Sequence, residues 1–383
     1  MKSSRALAGV SFGFLIGVLA QSIIGFYFWL VFIFILIAII CAVLEIFGGS
    51  DKLFLAFIIL FSAALGFLRA GTYHEDFSLN EKTFWNISRE YLVNRTKSIL
   101  PQNEGALFNA MVFGYEKDVS SKIKNDFNIT GTRHVLAISG MNISIIALMI
   151  MDFAIGIGLW RKQAFYVAVL AVIAFIFLVG SPASAVRAGI MGILLLWAKN
   201  KGRLVQAWRP IMLAAFFMVA LNPRLLVFSI GFQLSFLAVI GIVYFKNFWD
   251  KILFWIPIKP MRELVVLSMA AQTTTWPVMV YNFGTLSAIS PVANIFVVPM
   301  LNPIMFLGLG FVAVSWNSYL AQIFLWPAWL ILKANIKIVD FFGSFSWASI
   351  NLGKTGLIIF IFYPLIYLFW LYLEKHGYND SIN

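Results

Sequence analysis

The sequence predicts an all-α polytopic integral membrane protein whose helices cross a bilayer about ten to twelve times. Of its 383 residues, 61% are hydrophobic and only 11% are charged, whereas a soluble domain carries about 25% charged residues. The apolar residues also form long runs, and about 18 consecutive apolar residues are enough for a helix to span the hydrocarbon core. We therefore expect most of the chain to lie inside lipid.

Apolar runs separated by polar breaks predict the individual spans, several of which we expect to be short, broken or re-entrant. The first run leads directly into the second and has no small-residue cleavage site, so we expect it to be retained rather than removed as a signal peptide. The predicted spans are 7–24, 26–47, 53–70, 135–159, 164–180, 184–198, 211–221, 225–245, 264–283, 289–314, 320–342 and 355–372.

The formal net charge of +12 is explained by the excess of Lys and Arg in cytoplasmic loops. With both termini in the cytoplasm, only Arg224 and Lys354 among the basic residues of the short loops fall outside. This orientation predicts an N-terminal three-helix membrane region at 1–71, an extracytoplasmic helical segment at 72–133 and a transmembrane domain at 134–383. The single cysteine, Cys41, excludes an intramolecular disulfide and a cysteine-built metal site.

Polar side chains inside the predicted spans are where function is expected, because such groups cost several kcal/mol at membrane depth unless they are paired. Arg187 is the most costly, since a guanidinium stays charged and must snorkel, pair with an acid, or face water or phosphate. We also expect 290–303 to be a broken or re-entrant segment because it is rich in proline. The candidate path-lining residues are Arg133, His134, Ser139, Asn142, Arg187, Gln233, Gln272, Asn282 and Asn294.

Five stretches, in this order, resemble the ComEC competence-channel family. They are Arg-His-Val-Leu-Ala-Ile-Ser-Gly at 133–140, Pro182 to Arg187, Gly-Phe-Gln-Leu-Ser-Phe-Leu-Ala-Val-Ile-Gly at 231–241, Tyr-Asn-Phe-Gly at 281–284, and Ser-Pro-Val-Ala-Asn at 290–294. The resemblance implies a channel or translocase for uptake of single-stranded DNA across the bacterial inner membrane during natural transformation. It covers roughly residue 104 to the last predicted span.

The departures from that family shape the expectation. The family's usual histidines are replaced by Asn142 and Asn282, which keep hydrogen bonding but remove metal ligation and proton transfer. The resemblance covers the channel core alone, without the family's OB-type and metallo-β-lactamase-like domains. We therefore expect a DNA receptor, a nuclease and a motor protein to be supplied in trans, with a homo-oligomer as an open possibility.

Two other functions stay open at this point. Broken helices are also a device of secondary transporters, so a small-solute transporter with a midplane site is one alternative. The other is an intramembrane hydrolase with Ser139 as nucleophile and His134 as base, although five residues separate them and no acid sits nearby to orient the imidazole. We expect no enzyme activity, no cofactor and no metal site.

Overall fold

A computed structural model describes residues 2–25, 27–48, 51–73, 84–200 and 208–352. Within these residues the chain forms sixteen helices and one pair of three-residue strands. The helices are α1 Lys2–Ile24, α2 Phe28–Gly48, α3 Asp51–Gly71, α4 Phe84–Lys97, α5 Gln102–Phe113, α6 Ser121–Ile129, α7 Arg133–Leu136, α8 Gly140–Gly156, α9 Arg161–Leu178, α10 Ala183–Asn200, α11 Trp208–Leu221, α12 Leu225–Phe228, α13 Ile230–Ile252, α14 Lys259–Phe283, α15 Ser290–Val314 and α16 Ser318–Gly343. The antiparallel strands are β1 Thr285–Ser287 and β2 Ser349–Asn351.

The helical membrane class predicted from the sequence is confirmed. Seven helices of the described residues are long and apolar enough to cross a membrane, and four more apolar helices are shorter. Many large apolar side chains on these helices are exposed, as lipid-facing residues would be. The predicted span 355–372 lies outside the described residues.

The chain divides into two compact units, each made of two stretches of sequence. The first contains residues 1–90 and 139–236, and the second contains 91–138 and 237–383. In the first unit, α1 packs against α3 and α11, and α8, α9 and α10 pack against one another. In the second, α5, α6 and α7 pack around the α15–α16 pair. The division at 71 and 133 predicted from charge stays a prediction.

Glycines let α1 and α3 approach each other closely. A Cβ atom at Gly13 or Gly17 of α1 would collide with the carbonyl oxygens of Ile59 and Ala63, and one at Gly66 of α3 would collide with the carbonyl of Phe14. Small residues spaced four apart allow backbone-to-backbone contact in membrane helices, where dispersion rather than the hydrophobic effect drives association. The two helices are therefore held together along a tightly packed seam.

We predict that Gly17→Ala destabilises the protein by about 1–3 kcal/mol, the usual cost of overpacking, because the added methyl group collides with the Ala63 backbone. The measurement is the midpoint of unfolding in detergent micelles. Gly156→Ala is the matched control, since a Cβ there meets nothing within 4 Å. Equal midpoints for the two variants would contradict the tight seam.

Two of the predicted spans are interrupted. The run predicted at 135–159 is split into α7 and α8, because Ala137 and Ser139 have extended backbones, with ψ angles of 147° and 170°. The run predicted at 225–245 is split at Ser229, which is also extended, into the short α12 and the long α13. These two breaks confirm that short and broken helices are present.

The prediction of a broken or re-entrant segment at 290–303 is wrong. Helix α15 runs without interruption from Ser290 to Val314 and contains Pro299 and Pro303 in its interior. A proline removes one backbone hydrogen bond, but tertiary packing in membrane helices often compensates for it. Here α15 packs against α5, α14 and α16, and seven of its buried residues recur at alternating spacings of four and three; they are Ser290, Asn294, Val297, Leu301, Ile304, Gly308 and Phe311.

A long segment of the second unit follows the α15–α16 hairpin from one end to the other. At the turn of the hairpin, Tyr91 Oη and Arg95 Nε donate to the carbonyl of Ser315, over 3.2 and 3.3 Å. At the opposite end, Lys122 Nζ pairs with Asp340 Oδ1 at 2.9 Å. Between Ser318 and Asp340 a straight helix rises about 33 Å, which is close to the thickness of the hydrocarbon core.

We predict that Asn94→Cys and Asn125→Cys, each made with Cys41→Ala, are labelled from opposite sides of the membrane by an impermeant maleimide. Both asparagines are exposed, and they lie beside the two ends of a helix long enough to span the bilayer. Labelling is compared in intact spheroplasts and in inverted vesicles. If the whole of 72–133 is extracytoplasmic, as the charge pattern predicts, both cysteines will react only from the outer side.

Candidate nucleic-acid path

Helices α14 and α15 contribute to a cluster of buried and half-buried polar side chains around Ser290. Gln272 Nε2 of α14 donates to Ser290 Oγ at 2.7 Å. Asn294 Nδ2, one turn into α15, donates to Ser268 Oγ at 2.9 Å and lies 3.4 Å from Ser290 Oγ. Ser290 and Asn294 are 2% and 5% exposed. Gln272 and Asn294, both predicted from the sequence, are thus brought together by a serine that the candidate list omitted.

The loop before α7 closes against the same serine. Gly131 has a φ of +66°, and a Cβ at this position would lie 2.5 Å from Ser290 Cβ and 2.9 Å from Ser287 Cβ. Only glycine combines the left-handed backbone with this close approach. The Gln272 and Asn294 side-chain oxygens and Ser287 Oγ are buried without a hydrogen-bond partner among the described residues. The cluster therefore contains acceptor atoms that make no hydrogen bond to the described residues.

We predict that Ser290→Ala lowers the stability of the protein by about 1–3 kcal/mol, because it leaves the half-buried amide of Gln272 and the buried amide of Asn294 without their shared acceptor. Unfolding is followed by circular dichroism in detergent. Ser344→Ala serves as the control, since the exposed hydroxyl of this residue donates to the carbonyl of Phe341 at the C-terminal end of the same helix, α16. A Ser290 variant as stable as the control would show that the cluster does not hold the second unit together.

Arg133 and His134 begin α7 but have different partners. Arg133 Nη2 pairs with Glu116 Oε2 at 2.6 Å, with both side chains partly exposed. The imidazole of His134 is exposed and bonds to the carbonyl of Gly131. Arg133 is therefore neutralised by an acid rather than left free for a ligand.

Ser139 and Asn142 form a pair at the start of α8. Ser139 is the N-cap residue of the helix, and its Oγ donates to Asn142 Oδ1 at 2.9 Å. Asn142 is fully buried. A Cβ at Gly140 would lie 3.4 Å from Ala188 Cβ, which is ordinary van der Waals contact. The polar start of α8 is thus packed closely against α10.

Arg187 is buried within the apolar helix α10. Its side chain is 7% exposed, its guanidinium carbon lies 5.5 Å from the centroid of the Phe236 ring, and Nη1 has no hydrogen-bond partner among the described residues. Within that part of the chain, no carboxylate is close enough to form an ion pair with it. The aromatic contact only partly offsets the cost of burying a charge.

Gln233 and Asn282 have local structural roles. Gln233 Nε2 donates to the carbonyls of Leu226 and Val227, at 3.1 and 2.7 Å, and so satisfies the end of the short helix α12. Asn282 is exposed, and its Nδ2 bonds to the carbonyl of Val278 in its own helix. Neither side chain belongs to the cluster at Ser290.

Charged groups of the second unit outside the apolar helices form ion pairs. Lys97 Nζ lies 2.7 Å from Asp118 Oδ2, and a side-chain hydrogen bond to Asp118 raises the pKa of Lys97. The pKa of Lys122 is raised in the same way by Asp340. Burial raises the pKa of Asp126, with the positive charge of Lys122 acting in the opposite direction. These carboxylates balance basic residues and leave no strongly positive surface on these loops.

Sequence reasoning missed three residues that matter to this geometry. Glu116 is the ion-pair partner of Arg133. Phe236 carries no polar signal, although its ring supports Arg187. Asn335 is fully buried, with neither amide atom partnered among the described residues. Its spacing from the buried Leu332 and Val339 of α16 was the available signal.

Comparison with known proteins places this geometry in a family. A family model described as Competence protein matches residues 111–376. The chain is 26% identical over 302 residues to ComE operon protein 3 of Bacillus subtilis (strain 168), a match that covers 76% of this chain and 37% of that protein. No solved structure matches this chain. Since the family model covers more than half of its residues, the chain is a multi-pass membrane protein that belongs to the Competence protein family.

Proposed function

We propose that this protein is the core of a channel that passes single-stranded DNA across the bacterial inner membrane during natural transformation. The observation that carries the proposal is the burial of Arg187 in an apolar helix without an acidic partner among the described residues. An intramembrane charge that no acid neutralises is typical of a substrate path. Family membership supplies the process, DNA uptake, and with it a polyanionic substrate.

We propose path-lining residues for each unit by itself. In the first unit they are Ser139 and Asn142 at the start of α8 and Arg187 in α10. In the second unit they are Gln272 and Asn294 of the Ser290 cluster. Neutral amides can exchange hydrogen bonds with bases and sugars without trapping a charged strand. Arg133, His134, Gln233 and Asn282 remain secondary candidates, because the described contacts already give each of them a local role.

The proposal includes orientation and partners. We place both termini in the cytoplasm, because that orientation puts most basic loop residues inside. We also propose that a DNA receptor, a nuclease and a motor protein work with this chain, and that it assembles as a homo-oligomer. A positively charged groove is not required along the whole path when another protein drives the strand.

We propose a channel rather than an enzyme, with no cofactor. The Ser139 hydroxyl donates to Asn142, whose amide oxygen is not a base able to activate a nucleophile. The His134 imidazole bonds to a backbone carbonyl rather than to an orienting acid. A small-solute transporter remains the second candidate function, because interrupted helices such as α7–α8 also form midplane sites.

We predict that deleting the gene in its native host abolishes the entry of radiolabelled DNA into the cytoplasm while DNA binding at the cell surface is retained. In the complemented strain, Asn142→Leu lowers uptake about tenfold or more, because an apolar side chain replaces a buried polar group of the path. Uptake is measured as nuclease-resistant label and as transformants, and the amount of protein in the membrane by an epitope tag.

Asn128→Leu is the matched control, because that asparagine is exposed on the end of α6. It should support uptake at the wild-type level. Full DNA uptake in the deletion strain would refute the proposed function. A growth defect on one nutrient in that strain, with DNA uptake intact, would favour the solute transporter.

A further inference from the structure

The turn between α9 and α10 has an unusual backbone. Gly180 and Ser181 both adopt left-handed conformations, with φ angles of +84° and +54°, and Ser181 is the only non-glycine residue with a positive φ in the described parts of the chain. Its N–H donates to the Ile176 carbonyl at 2.8 Å. A non-glycine residue in this region is strained and often marks a functional site. The turn closes α9 and starts α10 immediately after Pro182.

The first turn of α10 carries partial positive charge. The first N–H groups of any α-helix have no acceptor within the helix, and the helix dipole adds positive potential there. Arg187 lies one turn further along, and side chains in a helix lean back towards its N-terminus. A cation is normally unfavourable at this end of a helix. Arg187 is nevertheless kept near this end of the helix. It is only 7% exposed, and its Nη1 has no hydrogen-bond partner among the described residues.

The Arg187 guanidinium is held in place by aromatic packing. Its central carbon lies over the Phe236 ring at 5.5 Å, and Phe236 packs against Phe232 with 4.5 Å between ring centroids. A guanidinium over an aromatic ring keeps its in-plane N–H donors available for a second partner. The side chain is therefore oriented before any ligand binds.

A second arginine reaches the same turn from α4. The position that a Cβ would take at Gly180 lies 3.0 Å from Arg89 Nη1. One helical turn away on α4, Trp85 stacks on Phe177 of α9, with centroids 6.0 Å apart and an interplanar angle of 20°. Residues four apart lie on one helix face, so this stack fixes the face that presents Arg89. Arg89 thus lies beside the turn that leads into α10, the helix that carries Arg187.

We infer that the N-terminal turn of α10, with Arg187 and Arg89, is a binding site for a phosphodiester group. Planar guanidinium forks bind phosphate oxygens through charge-assisted hydrogen bonds. The N–H groups of Ala185 and Val186 already donate to the Pro182 carbonyl, at 2.9 and 3.0 Å, so the helix contributes the positive end of its dipole. The ligand carries one negative charge per phosphate, which compensates the buried Arg187. Assigning this phosphodiester to the backbone of single-stranded DNA rests on the proposed function. The headgroup of an anionic phospholipid carries the same chemical group.

The test is binding of a fluorescent oligothymidylate to the full chain in nanodiscs of neutral phosphatidylcholine. We expect Arg187→Gln to weaken binding about tenfold, as loss of a charge-assisted hydrogen bond does, and to reduce the slope of log affinity against log salt by about 0.7, the value for one phosphate contact to a single strand. Arg89→Gln should act in the same direction, and Arg187→Lys should fall between wild type and Arg187→Gln.

Two controls separate a phosphate site from a structural role. Arg161→Gln removes an exposed arginine from the first turn of α9 and should leave affinity and slope unchanged. With an oligothymidylate whose backbone carries uncharged methylphosphonates, wild type and Arg187→Gln should bind equally. Unfolding midpoints of all variants are measured, and Arg187→Lys keeps the charge if Arg187→Gln fails to fold.

Two outcomes would overturn the inference, and a third would overturn the assignment of the phosphodiester to DNA. If the slope of log affinity against log salt is unchanged in both Arg187→Gln and Arg187→Lys, Arg187 does not contact a phosphate. A difference that persists with the methylphosphonate strand would assign Arg187 to bases instead. Equal oligonucleotide binding, combined with loss of bound phosphatidylglycerol from Arg187→Gln in mixed-lipid nanodiscs, would make the site a lipid headgroup site.

These results are independent of the test of the proposed function. If the deletion strain still takes up DNA, the proposed function fails even when the purified protein binds phosphodiester. If deletion abolishes uptake while Arg187→Gln supports it fully, the channel stands and the phosphate site fails.

Discussion

The structure depends on one constraint, which is that a polar group in hydrocarbon must find its partner inside the protein. The interruptions of the helices obey it locally. Gln233 satisfies the carbonyls left open at the end of α12, and Ser139 bonds to Asn142 where α8 begins. Arg187 is an exception that carries a charge, unlike the unpartnered amide of Asn335, and the aromatic ring beneath it cannot accept all of its hydrogen bonds. The exception is the most informative residue for function.

Hydrophobicity alone predicted the class of fold, because lipid imposes a length and a composition on every span. It did not locate the breaks at Ala137 and Ser229, which fall inside runs that it predicts as the single spans 135–159 and 225–245. It failed at Pro299 and Pro303, since local propensity predicts a break whereas the buried seam between α15 and α16 keeps the helix continuous. The path of residues 91–131 along this hairpin depends on long-range contacts that no local pattern encodes.

For the candidate site, the residue types in the sequence predicted which side chains are costly to bury in a membrane. The structure shows which hydrogen bonds and contacts offset that cost. Asn294 and Gln272 share Ser290, a pairing between helices that spacing along the chain does not reveal. Arg133 and Arg187 look alike in sequence, yet one pairs with Glu116 and the other is left against Phe236. That difference arises from where the loops after α5 and α9 bring their neighbours. Sequence alone therefore predicted candidate residues without ranking them.

The glycine seam between α1 and α3 has a consequence for movement. Helices in contact backbone to backbone at Gly13, Gly17 and Gly66 cannot separate without losing dispersion contacts along their whole length. They also leave no gap that a water molecule or a nucleotide could enter. A rearrangement of the first unit would therefore have to involve its other helices, with α1 and α3 staying together as one rigid pair.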